Sequence, residues 1–434
     1  MKFPFNRRSF TFSFLTKSQP LSQNNQIEKI SPFAWKVLFV LSAIAIVALY
    51  TETMISIAIP DIIKEFDLSY NTSSWILTIY LIVGGIMTPI SGKLSDLYGR
   101  KKILTMIFAS YTFGIVIAGF STDIYLLLVA RIFQGVGISF FPVAYSIIKD
   151  IFPKKRMSIA QSIFTSMFAF GSVLGILLGG SIIQYYGWSM TFYSLIPVTI
   201  TILILVGRLG NQIERDYQDL SEEKQKTIPL QQSIDTVQHK NRIQIDRIKR
   251  IVNSIDIKGA LLLAIFLTSF FLFLTSFENS SNNTNGNTYS DLFTLKRIIL
   301  LAVAIVTILL FIYVELKNKV SKLIDLRLLT NKLILIPNLL SLIVGFWIFI
   351  LFYTIPILAK NPLPVGFGMT SVDTSFLLLP YGIVVLIFGP STGYIISRLG
   401  STKPVLVGTI ISLIGFTMFL FFHSMEFSLG ISLS

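Results

Sequence analysis

The sequence predicts an all-α protein that crosses a lipid bilayer many times. Three observations carry this. Of 434 residues, 53% are hydrophobic and 13% are charged, about half the charged share of ordinary soluble domains. Apolar runs of about 20 residues, the length a spanning helix needs, recur along the chain. Lysine and arginine collect in the connections on one side of those runs, as the positive-inside rule requires.

Eleven spans are expected, at 37–60, 72–91, 103–121, 124–148, 158–182, 188–207, 259–277, 298–314, 333–358, 374–396 and 404–422. If the N-terminus lies inside, 31 of the 36 Lys and Arg residues fall in inner segments. Four (Lys64, Lys296, Arg297 and Lys360) fall outside, and Arg131 lies within a span. The chain is therefore expected to be a multi-pass cell-membrane protein with a cytoplasmic N-terminus. Trp35, Trp75, Tyr125, Tyr185, Tyr186 and Trp188 sit near span ends, as an aromatic belt would.

The same pattern explains the net charge of +14 without a nucleic-acid partner. Cysteine is absent, which rules out disulfides, thiolate nucleophiles and Cys-based metal sites. His239 and His423 lack partners at metal-ligand spacing, so neither a metal nor a cofactor is expected. No P-loop, His–Glu zinc motif or Gly-x-Ser-x-Gly elbow occurs, and no enzyme activity is expected.

The spans divide the chain. Residues 1–36 form a polar tail, read as cytoplasmic although its Arg, Phe and Ser content also resembles a weak transit sequence. Residues 37–207 form a six-helix lobe, 208–257 a charged linker, and 258–315 two additional helices. Residues 333–434 would be the first three helices of a second lobe that is incomplete. The linker's basic run, Arg242 to Arg250, would suit anionic lipid or serve only as a spacer. Asn279 and Asn282 match the glycosylation pattern. The loop after span two, Gly92-Lys-Leu-Ser-Asp96-Leu-Tyr-Gly99-Arg100, recurs in weaker form as Gly393-Tyr-Ile-Ile-Ser397-Arg398-Leu-Gly400. That repeat supports a two-lobed design.

A charge inside a span is costly and marks a candidate site. Glu52 in span one and Arg131 in span four lie deep, each roughly 10–12 Å below the outer surface at about 1.5 Å per residue. Opposite charges at one depth can share a cavity. Burial favours the protonated acid and a nearby Arg the ionised one, which is the balance a proton-binding site needs. A buried ion pair that only fixes packing is the alternative. Gln134, Gly135 and Gly137 follow Arg131. Gly171, Gly175, Gly179 and Gly180 place small residues along one face of span five, where helices can approach closely. Asp96 could cap the next helix, or pair with Arg100 or a neighbouring span.

These residues resemble the major facilitator superfamily. Gly92 to Leu104 is similar to its loop motif between spans two and three. Arg131, Gln134, Gly135 and Gly137 resemble its fourth-span motif, and the four glycines its antiporter motif, with Ile176 where Pro is usual. Thr51 to Pro60 is similar to the first-span motif of the 14-span drug:proton antiporters, with the usual Asp at Thr51 and the acid one place later at Glu52. The two additional helices and Leu378-Leu379-Pro380 resemble the same subfamily. The resemblance implies a major-facilitator-type bundle that exports small hydrophobic or cationic compounds against protons. Glu52 would be the proton or cation site and Arg131 the coupling residue. Gly92, Asp96, Gly99 and Arg100 would belong to a conformational latch, with Ser397 replacing the acid of its second copy. A small-molecule substrate, protons and membrane lipid are the expected partners of a monomer. An importer or uniporter of an organic solute, a non-transporting scaffold or sensor, and an inactive truncated transporter are the alternatives. Three further spans would complete the pattern beyond 422.

Overall fold

The computed structural model describes residues 30–153, 156–226, 256–276, 295–317, 323, 326–362, 366–400 and 402–422. Among them there are helices and no strands. Ten helical stretches are long and apolar enough to cross a membrane, and a shorter apolar helix at 403–415 follows them. The tail before residue 30, most of the linker, Asn279, Asn282, both histidines and the last twelve residues lie outside the described residues.

The helices are α1 (Pro32–Glu65), α2 (Tyr70–Tyr98), α3 (Arg100–Gly119), α4 (Ile124–Ile138), α5 (Phe140–Ile151), α6 (Met157–Tyr186) and α7 (Ser189–Lys226). Then come α8 (Ile257–Thr275), α9 (Leu295–Lys317), the short α10 (Leu326–Leu329), α11 (Lys332–Phe349), α12 (Ile355–Lys360), α13 (Ser371–Leu399) and α14 (Thr402–Phe422). Their starts follow capping chemistry. Ser31 precedes Pro32 and accepts from the Phe33 amide, Ser69 from Thr72 and Asp123 from Leu126.

Three expected boundaries differ. The fourth span breaks at Ser139 into α4 and α5. Pro142 has no N–H to continue the ladder, and the Ser91 hydroxyl donates to the Ser139 carbonyl at 2.8 Å. The ninth span widens into a π-turn at Ile350–Thr354, where Pro356 likewise withholds its N–H from the residue four before it. The linker expected from 208 instead begins as a continuation of α7 to Lys226. The Gln-, Glu- and Lys-rich stretch 211–226 contains good helix formers and neither Gly nor Pro.

The face where α1 begins and α2 turns into α3 is here the near face, and the opposite one the far face. α1 is central, with 21 buried residues including Ile44, Met54 and Ile57. It packs on α6, and α6 packs in turn on α13. The main apolar core joins α1–α7 to residues of the π-turn, α12 and α13, among them Leu351, Ile355 and Leu378. α11 buries no residue.

Candidate functional site

Small residues create the site by letting helices meet. A β-carbon on Gly135 would stand 2.7 Å from the Tyr80 carbonyl, and one on Gly137 would collide with the Tyr111 ring. A β-carbon on Gly114 of α3 would stand 2.7 Å from the Ala130 carbonyl. So α2 and α3 lie against α4 at backbone distance, and the α4 side chains on that packed face are enclosed.

Arg131 is one of them and is completely buried. Its Nε donates to the Ile76 carbonyl at 2.8 Å and its Nη1 to Gln134 Oε1 at 2.8 Å. Gln134 Nε2 donates onward to the Gly114 carbonyl at 3.1 Å. The guanidinium lies 4.4 Å from the centre of the Tyr80 ring, a cation–π arrangement. Three of its contacts are thus to neutral groups on α2 and α4, which fix its direction without cancelling its charge.

The remaining nitrogen, Nη2, points at Glu52. Arg131 Nη2 and Glu52 Oε2 are 3.6 Å apart, with the Glu52 side chain 24% exposed. Both atoms are buried and, among the described residues, neither has a hydrogen-bond partner. The pair is therefore an ion pair held just short of hydrogen-bond contact. The Tyr80 hydroxyl faces the same carboxylate. Thr51, where the resemblance places the usual acid, is instead buried and accepts from the Tyr111 hydroxyl at 2.8 Å. Tyr80 and Tyr111 were not singled out in the sequence, where a Tyr in an apolar run carries no signal of its own.

The glycines of α6 serve two neighbours. β-Carbons on Gly171 and Gly175 would strike the Ile46 and Tyr50 carbonyls of α1, and one on Gly179 would press on Met54. Gly180 faces the other way, onto Ser371 and Ser375 of α13. Ile176 is completely buried, and a β-carbon on Gly382 of α13 would lie 3.5 Å from its Cδ1.

In the α2–α3 turn, Gly99 takes φ +92°, a conformation that glycine adopts without strain. A β-carbon on Gly92 would touch Pro142 at 3.9 Å. Arg100 leans on α5, pairing with Asp150 and donating to the Ser146 carbonyl at 2.6 Å. Asp96 stands 3.8 Å from Arg100 with its side chain 64% exposed. It does not cap α3, whose cap residue is Gly99 with no side-chain bond. Of the second copy, the side chains of Gly393 and Ser397 lie outside the described residues.

A further cluster sits at the far face. Lys360, expected in an outer connection, is the buried last residue of α12. Its Nζ pairs with Asp61 of α1 and donates to the Ile57 carbonyl at 3.2 Å and Ser371 Oγ at 2.7 Å. Around it, Tyr353 donates to the Tyr70 carbonyl at 2.8 Å and Asn361 Nδ2 to the Tyr70 hydroxyl at 3.0 Å. The Val372 amide donates to Gln184 at 3.1 Å. These bonds tie residues after 350 to α1, α2 and α6, and they gather at one face.

Comparison with known proteins agrees with this architecture. The family model described as Major Facilitator Superfamily matches residues 41–313. The chain is 24% identical over 388 residues to the uncharacterized MFS-type transporter YhcA of Bacillus subtilis, covering 89% of this chain and 64% of YhcA. It thus spans less than two thirds of that relative's length. It is 31% identical over 180 residues to the multidrug efflux pump LfrA of Mycolicibacterium smegmatis, covering 41% of this chain and 35% of LfrA. Among solved structures, the proton:xylose symporter XylE of E. coli superposes with a TM-score of 0.52 at 14% identity, over 93% of this chain and 78% of the other. That likeness concerns the fold.

Proposed function

Since the chain belongs to the major facilitator superfamily, whose members carry small molecules across membranes, we propose that it is a proton-coupled exporter of hydrophobic or cationic compounds. The observation that supports this best is the Glu52–Arg131 pair, a completely buried guanidinium 3.6 Å from a carboxylate whose side chain keeps 24% of its surface exposed, with no hydrogen bond between them. A pair meant only to fix packing would be enclosed and hydrogen-bonded throughout, whereas this acid keeps part of its side chain open. An acid that remains accessible can exchange partners.

In this reading Arg131 is a fixed positive charge, and Glu52 accepts either a proton or the positive charge of a substrate. A proton arriving on Glu52 cancels its attraction for the substrate. Loss of that proton restores it. The two occupants therefore exclude each other, which is the logic of an antiporter. The second bundle, beginning after α10, would rock against α1–α7 around this site. The positive charge of the near-face connections makes that face cytoplasmic, so the far-face cluster around Lys360 closes the outer side. The inserted pair α8–α9 suits the 14-span branch, and the multidrug pump LfrA, similar over 180 residues, suits the export direction. The transporter works as a monomer in the cell membrane.

The test is gradient-driven efflux of tetraphenylphosphonium from vesicles holding the whole chain or its Glu52→Gln variant. Loss of efflux in the variant, with insertion and amount unchanged, is the expected result. Full efflux with the same dependence on the proton gradient removes Glu52 from the mechanism. Inward accumulation driven by the same gradient replaces the exporter with an importer.

A further inference from the structure

The inserted pair α8–α9 has no role in the exchange just described, yet it carries two buried carboxylates. It is also seated against α2 towards both faces. At the far face, Asn71 Nδ2 donates to the Thr275 carbonyl at 3.0 Å. One turn inward, the rings of Trp75 and Phe271 meet edge-on at 4.7 Å. Towards the near face, Ile90 packs into a second apolar cluster built from Ala260, Phe311 and Leu323. The partners on α2 rise in number as those on α8 fall, so the two helices run antiparallel.

The near end of this seam is charged. Asp256, 4% exposed, caps α8 by accepting from the Gly259 amide at 2.8 Å. Glu315, 1% exposed at the end of α9, accepts from the Leu323 amide at 2.8 Å. That bond holds Leu323 against the end of α9. One oxygen of Asp256 is thus tied to the first turn of α8 and one of Glu315 to Leu323, and the cation of α2 nearest this end of the seam is Lys93, one turn beyond Ile90 and within electrostatic reach of both acids. Lys93 is the second residue of the loop motif, and five residues after it comes Tyr98, the end of α2. The turn at Gly99 and the Arg100–Asp150 pair follow directly.

We propose that α8–α9 is a clamp on the loop motif: buried Asp256 and Glu315 hold Lys93, so the inserted pair belongs mechanically to the first bundle and sets the position from which the Arg100 lock is presented. Lys93 is on this account a positioning residue, distinct from the exchange site. The chain carries no cysteine, so introduced thiols can be labelled singly. A spin label at Tyr98→Cys, half exposed at the end of α2, reports the near end, and one at Leu81→Cys reports the middle of the same helix.

Lys93→Met leaves two buried anions without their cation. It should raise the ratio of mobile to immobile label at position 98 by about 2- to 30-fold, the range in which single residues of such networks act, while the label at 81 is unchanged. Lys93→Arg should restore the parent spectrum. If Lys93→Met unfolds the protein, the triple variant Lys93→Met, Asp256→Asn, Glu315→Gln removes the uncompensated charge and should fold with the same mobile label at 98. An unchanged label at 98 in the folded Lys93→Met or triple variant overturns the clamp, and so does equal loosening at 81 and 98. These spectra need no transport, so failure of the exporter reading would leave them intact.

Discussion

Two ion pairs set a buried cation against a partly exposed acid of α1, and they are built on opposite principles. Glu52–Arg131 lies wholly within α1–α7. Its arginine is held by the Ile76 carbonyl and Gln134, and its two charges stop 3.6 Å short of one another. Asp61–Lys360 joins α1 to α12, two segments nearly 300 residues apart. There the lysine is closed on three oxygens, from Asp61, Ile57 and Ser371. The first pair can persist however the second bundle moves. The second exists only while that bundle is seated at the far face. A charge kept in place but incompletely satisfied suits exchange of ligands, whereas a fully satisfied charge across a boundary suits a lock.

The sharpest way to break this contrast is Arg131→Met. It strands Glu52 and frees the Gln134 and Ile76 acceptors at once. Breaking a buried pair by removing one partner costs about 3–5 kcal/mol. We expect both a loss of gradient-driven efflux and a lowered melting temperature of the purified protein. Normal efflux with only a smaller yield would mean that the pair serves packing alone.

Lys360→Met should act differently. A hydrogen bond to a charged group is worth about 1.5–3 kcal/mol, so a net loss equal to one such bond should shift the far face towards open by about 10- to 150-fold. The measurement is the rate at which a membrane-impermeant maleimide labels Thr374→Cys, a buried position of α13 outside the lock, with Lys360 intact or replaced. Substrate binding by Glu52 should survive. Equal labelling with and without Lys360 would show that the far face does not depend on it.

The α6 glycines carry the contrast into backbone packing. Gly175→Ala drives a methyl into the Tyr50 carbonyl within the first bundle, and overpacking of this kind costs about 1–3 kcal/mol. Its expected readout is lower thermal stability with an unchanged far-face labelling rate. Gly180→Ala meets Ser371 and Ser375 across the boundary. It should leave the first bundle stable and raise far-face labelling instead. If the two substitutions behave alike, the boundary between α6 and α13 is not where the bundles part.

Much of this was legible in the sequence, for reasons that particular residues show. Glu52 and Arg131 could be set at one depth by counting from span ends, because a helix rises by a constant step. The small residues after Arg131 and along α6 could be read as close contacts, since packing in lipid favours them. Two things escaped. Tyr80 and Tyr111 line the site as neutral aromatics in apolar runs, and nothing local separates them from core residues. Lys360 was placed in an outer connection because it follows a span. Its burial depends on α12 reaching α1, a contact that no local pattern encodes. Asp150, likewise, ends α5 as any polar residue would, and only the folded turn brings it to Arg100.

Arg100 supplies the smallest test. Two acids approach it, and they differ in the way the two ion pairs do, one engaged and the other standing off. Asp150 contacts the guanidinium, and the Ser146 carbonyl adds a bond at 2.6 Å. Asp96 remains 3.8 Å away and largely in solvent, where screening leaves such a pair worth about 0–1 kcal/mol. In the state described, Asp96→Asn should therefore change the melting temperature little, and less still at high salt, whereas Asp150→Asn should lower it clearly. Efflux should nonetheless respond to Asp96→Asn if Asp96 engages a partner in the opposite state. A variant that is neutral in stability but slow in transport would place the contribution of Asp96 in the conformation with the far face open. A variant neutral in both would leave the latch to Arg100 and Asp150.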